Sequence, residues 1–268
     1  MMLVERRIAK VSDARASGQF RRYKREPTHA VRKAEIKENE TLRALKQAWQ
    51  NFELVKDDMT VVDLRESYQK ALELIRSFAY NKADIENFNL ALGEFQNEKG
   101  FAKRAGLFLS ALINNGSDST YTIFTQHLEN INSLGAFNTK TIIVEGDAGD
   151  NCGIEMAGGK IVINGDTDDW LGNGMGKGEI ILNGDAGDFA GAGMLGGTIK
   201  INGSVCNYLG LKMKDGKIVV NGNSGDTIAA EMRSGEIHLN GTFIGIFYFG
   251  CGGKIYHKGS QIWPIKSV

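Results

Sequence analysis

The sequence predicts an α+β chain in two parts, a helical front half followed by a parallel β-helix. Three observations carry this. A phrase of the form hydrophobic-x-hydrophobic-x-Gly occurs seven times, with its leading Ile at 142, 161, 180, 199, 218, 237 and 255. Successive Ile positions differ by 19 five times and then by 18 once. A fixed period this short marks a solenoid, in which each copy is one coil that cannot bury its apolar face alone. Glycine then divides the chain, since 28 of its 34 glycines lie from Gly146 onward. Before about residue 139 the apolar residues instead fall at three- and four-residue spacing, as amphipathic helices require.

In the front half, helices are expected over Thr41 to Leu54, Val61 to Tyr80, Asp84 to Phe95, Phe101 to Ile113 and Ser119 to Leu134. Leu64, Tyr68, Leu72 and Ile75 make one face of the second. Thr60 and Ser119 are suitable N-caps for the second and fifth. Gly100 and Asn114-Asn115-Gly116 are the stops between helices. The boundaries that follow are a basic arm over 1–29, a helical domain over 30–139 and a β-helix over 140–268. The arm holds eight Lys or Arg against three acids before His29, which reads as a solvated segment or one that docks on an acidic partner.

Aligned under one another, the repeats form columns. Ile leads every copy, and two residues on stand Val144, Ile163, Leu182, Ile201, Val220, Leu239 and His257. Alternation puts both columns on one face of a strand, facing inward. Asn164, Asn183, Asn202, Asn221 and Asn240 each precede a Gly, a strong turn signal. Met156, Met175, Met194, Met213 and Met232 read as an interior stack, because Met fills irregular gaps. Ile143, Val162, Ile181, Lys200, Val219, His238 and Tyr256 face outward. A strip this apolar is expected to be covered, by the helical part or by a partner.

The second copy carries Asn164-Gly165-Asp166 and Gly172-Asn173-Gly174-Met175-Gly176; the third carries Asn183-Gly184-Asp185 and Gly191-Ala192-Gly193. These motifs resemble the GxGxG domain family, over about residues 140 to 260. That family includes the carboxy-terminal β-helix of glutamate synthase large subunits and one of the subunits of formylmethanofuran dehydrogenase. The resemblance implies a right-handed β-helix of about seven 19-residue coils, with a packing or subunit-contact role in complexes whose chemistry is done elsewhere. The sequence departs from the pattern at Leu211 and Lys212, where the third copy has Ala192 and Gly193, and at Ala229 in place of Gly.

The motifs that suggest chemistry have structural readings. Gly191 to Gly196 spells GxGxxG, but it recurs in register with the other copies and a strand, not a helix, follows it. Gly159-Lys160 and Gly176-Lys177 lack the Ser or Thr of a P-loop, and GxSxG is absent. Asp147, Asp166 and Asp185 form one carboxylate column, and Asp150, Asp169, Asp188 and Asp226 another. They are expected to accept bonds from turn amides, with a bound cation as the alternative. Trp170, Phe189 and Tyr208 form an aromatic column that stabilises a corner or meets a neighbour. Phe243, Phe247, Tyr248 and Phe249, with Trp263 and Pro264, are placed to cap the last coil or to bind a partner. His238 and His257 fall on opposite strand faces, and neither they nor His29 and His127 sit at metal-ligand spacing. Cys152, Cys206 and Cys251 read as free thiols in a reducing compartment.

No catalytic, cofactor-binding or metal-ligating residue is therefore nominated, and no cofactor is expected. The zero formal net charge gives no reason to expect nucleic acid, and no apolar run reaches the length of a membrane span. A cytoplasmic protein is expected, with a protein partner or a second copy as its contact. The resemblance favours a non-catalytic assembly subunit of a larger oxidoreductase or amidotransferase complex. The alternatives are a self-contained scaffold whose helices engage a partner, and an enzyme with its site at the junction of the two parts.

Overall fold

The computed structural model describes residues 38–56, 60–247 and 252–264. The basic arm, His29, Tyr248, Phe249 and Cys251 lie outside the described residues. Among the described residues, four helices are followed by a right-handed parallel β-solenoid, and Ile36–Val268 forms one compact unit.

The helices are α1 (Glu40–Gln50), α2 (Val61–Ile75), α3 (Lys82–Ala91) and α4 (Phe101–Asn115). Their starts follow local chemistry. The Asn39 side chain accepts from the Leu42 amide at 2.7 Å, and Thr60/Asp63 and Asn81/Asp84 form reciprocal capping boxes. Trp49 packs at 5.8–6.5 Å from the rings of Phe88, Phe95, Phe101 and Phe108. The Arg104 guanidinium lies 4.3 Å over the Trp49 ring and donates to the Trp49 and Phe52 carbonyls, tying α4 to the end of α1.

Three expectations need correction. The first helix ends at Gln50, not Leu54. The second helix ends at Ile75, not Tyr80. More importantly, Ser119 to Leu134 is not a helix. Thr120–Phe124 is strand β1, and it pairs in parallel with β2 (Thr141–Glu145), Tyr121 beside Ile142 and Ile123 beside Val144. Leu128, Ile131 and Leu134 have helical spacing, but they are buried turn residues wrapping an additional first coil. Apolar spacing of three does not distinguish a helix from a chain that turns around a core.

From β1 onward the strands stack in sequence order: β3 (Lys160–Ile163), β4 (Glu179–Leu182), β5 (Thr198–Ile201), β6 (Lys217–Val220), β7 (Glu236–Leu239) and β8 (Lys254–His257). The register aligns each leading Ile with the next. All seven of these Ile side chains are fully buried, each contributing about 1.5–3 kcal/mol of burial. The Met column is fully buried as well. A second parallel ladder, one residue per coil, runs through Ala148, Thr167, Ala186, Val205, Ser224 and Phe243.

Both ends are closed. Helix α4 is almost wholly buried and lies on the first coil, where the Asn132 amide donates to the Ala102 carbonyl at 3.0 Å. Along the rod, the amides of Gly153, Gly172, Gly191 and Gly210 donate to a carbonyl of the preceding coil. Gly135, in coil one, has no preceding coil. Its amide donates instead to the Ser110 hydroxyl of α4 at 2.9 Å, and Ala136 donates to the same oxygen at 3.2 Å. Gly106 permits this approach, since a Cβ there would run into the Asn132 carbonyl. At the far end β9 (Ser260–Trp263) turns back antiparallel on β8, with Ile262 and Trp263 packed on the core. The helices thus seat on the end of the rod, where α3 packs on β1. Ile143, Val162, Ile181 and Val219 remain half-exposed.

Two outcomes test this packing. Gly191 and Gly193 share a left-handed backbone, at φ 68° and 62°. A Cβ at Gly191 would strike the Ile218 Cδ1, whereas at Gly193 it meets only Asn173 Oδ1 at 3.8 Å. Gly191→Ala should therefore lose about 2–4 kcal/mol and Gly193→Ala about 1 kcal/mol in urea unfolding. The Thr167 hydroxyl is buried without a hydrogen-bond partner in a column where Val205 also stands. Thr167→Val should raise stability by about 1 kcal/mol in the same assay.

Candidate functional site

The corner that follows the second ladder carries the aromatic column. Trp170, Phe189 and Tyr208 adopt φ of 68°, 64° and 60°, the left-handed region usually left to Gly or Asn. Asn151 and Thr227 hold the same place in the neighbouring coils. The left-handed backbone satisfies the ladder, since each aromatic residue's amide donates to a carbonyl of the next coil at 2.9–3.0 Å. The rings stack in parallel at 4.2 and 4.7 Å between centroids. Tyr208 is 38% exposed, and Trp170 and Phe189 are half-buried. Left-handed backbone at a bulky residue costs about 1–2 kcal/mol, and each ring pair returns about 0.5–1.5 kcal/mol.

The aspartates bond as expected. Asp147 accepts from the Asp166 amide at 2.9 Å, Asp166 from Asp185 at 2.8 Å and Asp185 from Ser204 at 2.6 Å. The second column repeats this through Asp150, Asp169, Asp188 and Asn207. Asn side chains form a third ladder, beginning at Glu145 and ending at Asn240. Residues 145–157, 164–176 and 183–197 together hold nine Asp or Glu and no Lys or Arg. Among them the Asp150 carboxyl is held above its usual 3.8, first by burial and further by the neighbouring charges of Asp168 and Asp169.

The outward sheet face has charged borders. Lys160 pairs with Glu179 at 2.8 Å, and Lys254 lies 3.8 Å from Glu236. His238 stacks on Tyr256 at 4.4 Å, and its Nε2 lies 3.0 Å from Glu236. His257 instead lies against the Gly241 carbonyl, so the two histidines do not converge. Where helices and first coil meet is an open depression of about 430 Å³, lined by Glu98, Lys103, Glu129, Asn130 and Asn132 among others. It joins polar groups from both parts, Glu98 and Lys103 from the helices with Glu129, Asn130 and Asn132 from the first coil. Among the described residues, no three His, Cys, Asp or Glu are arranged to hold a metal ion. Cys152 is fully buried, and its thiol is pushed up to about 12 by desolvation. Gly191–Gly196 is turn backbone followed by β5, as its register implies.

Sequence reasoning missed the first coil and with it Ser133, Gly135 and Phe137, which repeat the left-handed corner at φ 62°, 76° and 57°. It also missed Ser110. Gly135 was the available signal, standing one repeat ahead of Gly153.

These features define a right-handed parallel β-solenoid protein with a helical cap. Compared with protein-family models and with curated proteins, the chain matches none of either. Among the described residues no helix is long and apolar enough to cross a membrane.

One outcome follows from Asp150. A carboxyl whose pKa is raised on folding loses stability as pH rises from 3.8 through its folded value. Asp150→Asn keeps an oxygen for the Asp169 amide and removes the charge. Thermal unfolding should give a higher Tm than the parent at pH 7, with the difference vanishing below about pH 3.8.

Proposed function

We propose that this protein is a protein-binding scaffold, with the Trp170–Phe189–Tyr208 corner as its principal contact for another protein. The observation that carries this is the stack itself. Three large aromatics occupy strained backbone on a surface that the chain leaves partly open. Trp and Tyr at such positions are the residues that dominate binding energy at protein interfaces. The basic-residue-free stretches beside them suit a partner presenting Lys or Arg, which would meet carboxylates and ring faces together.

Much of the rod's polar chemistry is already used in coil-to-coil bonds. That favours contact over catalysis, and it supports the self-contained scaffold more than a subunit tied to one particular enzyme. The GxGxG resemblance supplies the finer reading, that the bound protein is a larger oxidoreductase or amidotransferase subunit. The depression at Lys103 and Glu129 keeps a junction enzyme as the second reading, because it brings an amine and carboxylates together.

Affinity purification of tagged chain from its native cells tests the proposal. A stoichiometric partner should accompany the parent chain and fall at least roughly tenfold with Trp170→Ser/Tyr208→Ser, a loss typical of interface anchors. Recovery of the chain without a stoichiometric protein, or undiminished capture by the folded variant, would count against it.

A further inference from the structure

The outward face of β2–β8 presents three columns. The first reads Thr141, Lys160, Glu179, Thr198, Lys217, Glu236, Lys254. Its charges are antisymmetric about Thr198 except at the ends, where uncharged Thr141 answers Lys254. Counting outward, Glu179 on one side answers Lys217 on the other, and Lys160 answers Glu236. The third column has the same property at its ends, with Glu145 in the β2 coil and Lys258 in the β8 coil, separated by uncharged Asn. Between them runs the apolar middle column, interrupted at the same centre by Lys200.

This symmetry has a specific physical consequence. Turning a second rod half a revolution about an axis along β5 keeps each column opposite itself and reverses the order of coils. Lys160 then faces Glu236, Glu179 faces Lys217 and Glu145 faces Lys258, each pair occurring twice. In the middle column Ile181 faces Val219, Val162 faces His238 and Ile143 faces Tyr256. One surface patch serves both copies, as a two-fold interface requires. The same turn about an axis parallel to the rod lacks this match, since it sets the charged first column against the Asn column.

We propose that this face is the contact surface of a homodimer, two rods stacked antiparallel about a two-fold axis along β5. It is independent of the aromatic corner, which belongs to a different part of the coil. Sheets stacked about 10 Å apart leave room for the Lys and Glu side chains to interleave. Seven strands at about 4.8 Å, each offering about 13 Å of length, give about 400 Å² per copy. That is below the roughly 800 Å² per partner of a standard stable interface, so the dimer is weak and concentration-dependent. Lys200 meets its own copy on the axis and is the one repulsive contact. Its stem can turn the ammonium aside, at a cost in affinity.

Sedimentation velocity of the full chain, from roughly 10 to 500 µM, tests this, a range suited to a weak dimer. The mass should rise from 29.3 kDa toward twice that value. Lys200→Ile should tighten association by roughly tenfold, and Ile181→Asp should abolish it. Glu179→Lys should leave a monomer, and adding Lys217→Glu to it should restore the dimer. Far-UV circular dichroism checks that each variant is folded. A parent chain that stays at 29.3 kDa throughout would overturn the proposal. So would a dimer indifferent to Ile181→Asp, or a folded double variant that stays monomeric where the parent dimerises.

Discussion

The parallel ladder from coil to coil is the constraint on which the rest of this molecule depends. Each backbone amide on the strand face finds its carbonyl in a neighbouring coil; at the corners such bonds alternate with turn bonds inside one coil, such as Asn173 to Trp170 and Met175 to Gly172. That arrangement holds the repeat to one length over most of the rod, because side chains in one column must stack on their counterparts. It also explains why Asn, Asp and Ser recur where they do. At each such place the side-chain oxygen accepts from the amide or amide side chain of the next coil. A carboxylate column that would repel itself in isolation is held by directed hydrogen bonds.

A ladder of this kind has two ends, and both must be satisfied. At the start, Ser110 lends its hydroxyl where a preceding coil would have offered a carbonyl, and α4 supplies the apolar lid. The helical cap and the rod consequently share a single hydrophobic core. The helices are therefore part of the solenoid's own closure. At the finish, β9 reverses direction on β8 and brings Trp263 onto the core.

With the ends closed, the sides of the rod carry groups that the ladder does not account for. One side carries the aromatic stack beside an acid-rich corner, and another carries the self-complementary sheet face. Neither is required by the ladder, which closes equally well with Asn at the aromatic position, as it does at Asn151. Rigid stacking places such groups at fixed intervals, which is what a scaffold offers a partner.

Much of the rod is legible in the sequence, because its period writes each contact several times over. The Ile, Asn, Met and Asp columns all stand in register there. Coil one is written only faintly, in Gly135: Tyr121 and Ile123 carry the inward strand positions without the repeated phrase, and Leu128, Ile131 and Leu134 share their spacing with a helix. Nor can spacing show that α4 stands in for a missing coil, since one Ser hydroxyl in a helix has no periodic signal. The sequence by itself determined the solenoid, because repetition makes the local pattern and the tertiary contact the same thing. Only the tertiary structure decided where the solenoid begins, what closes it and which sides stay open, because those depend on contacts made once, between segments distant in the chain.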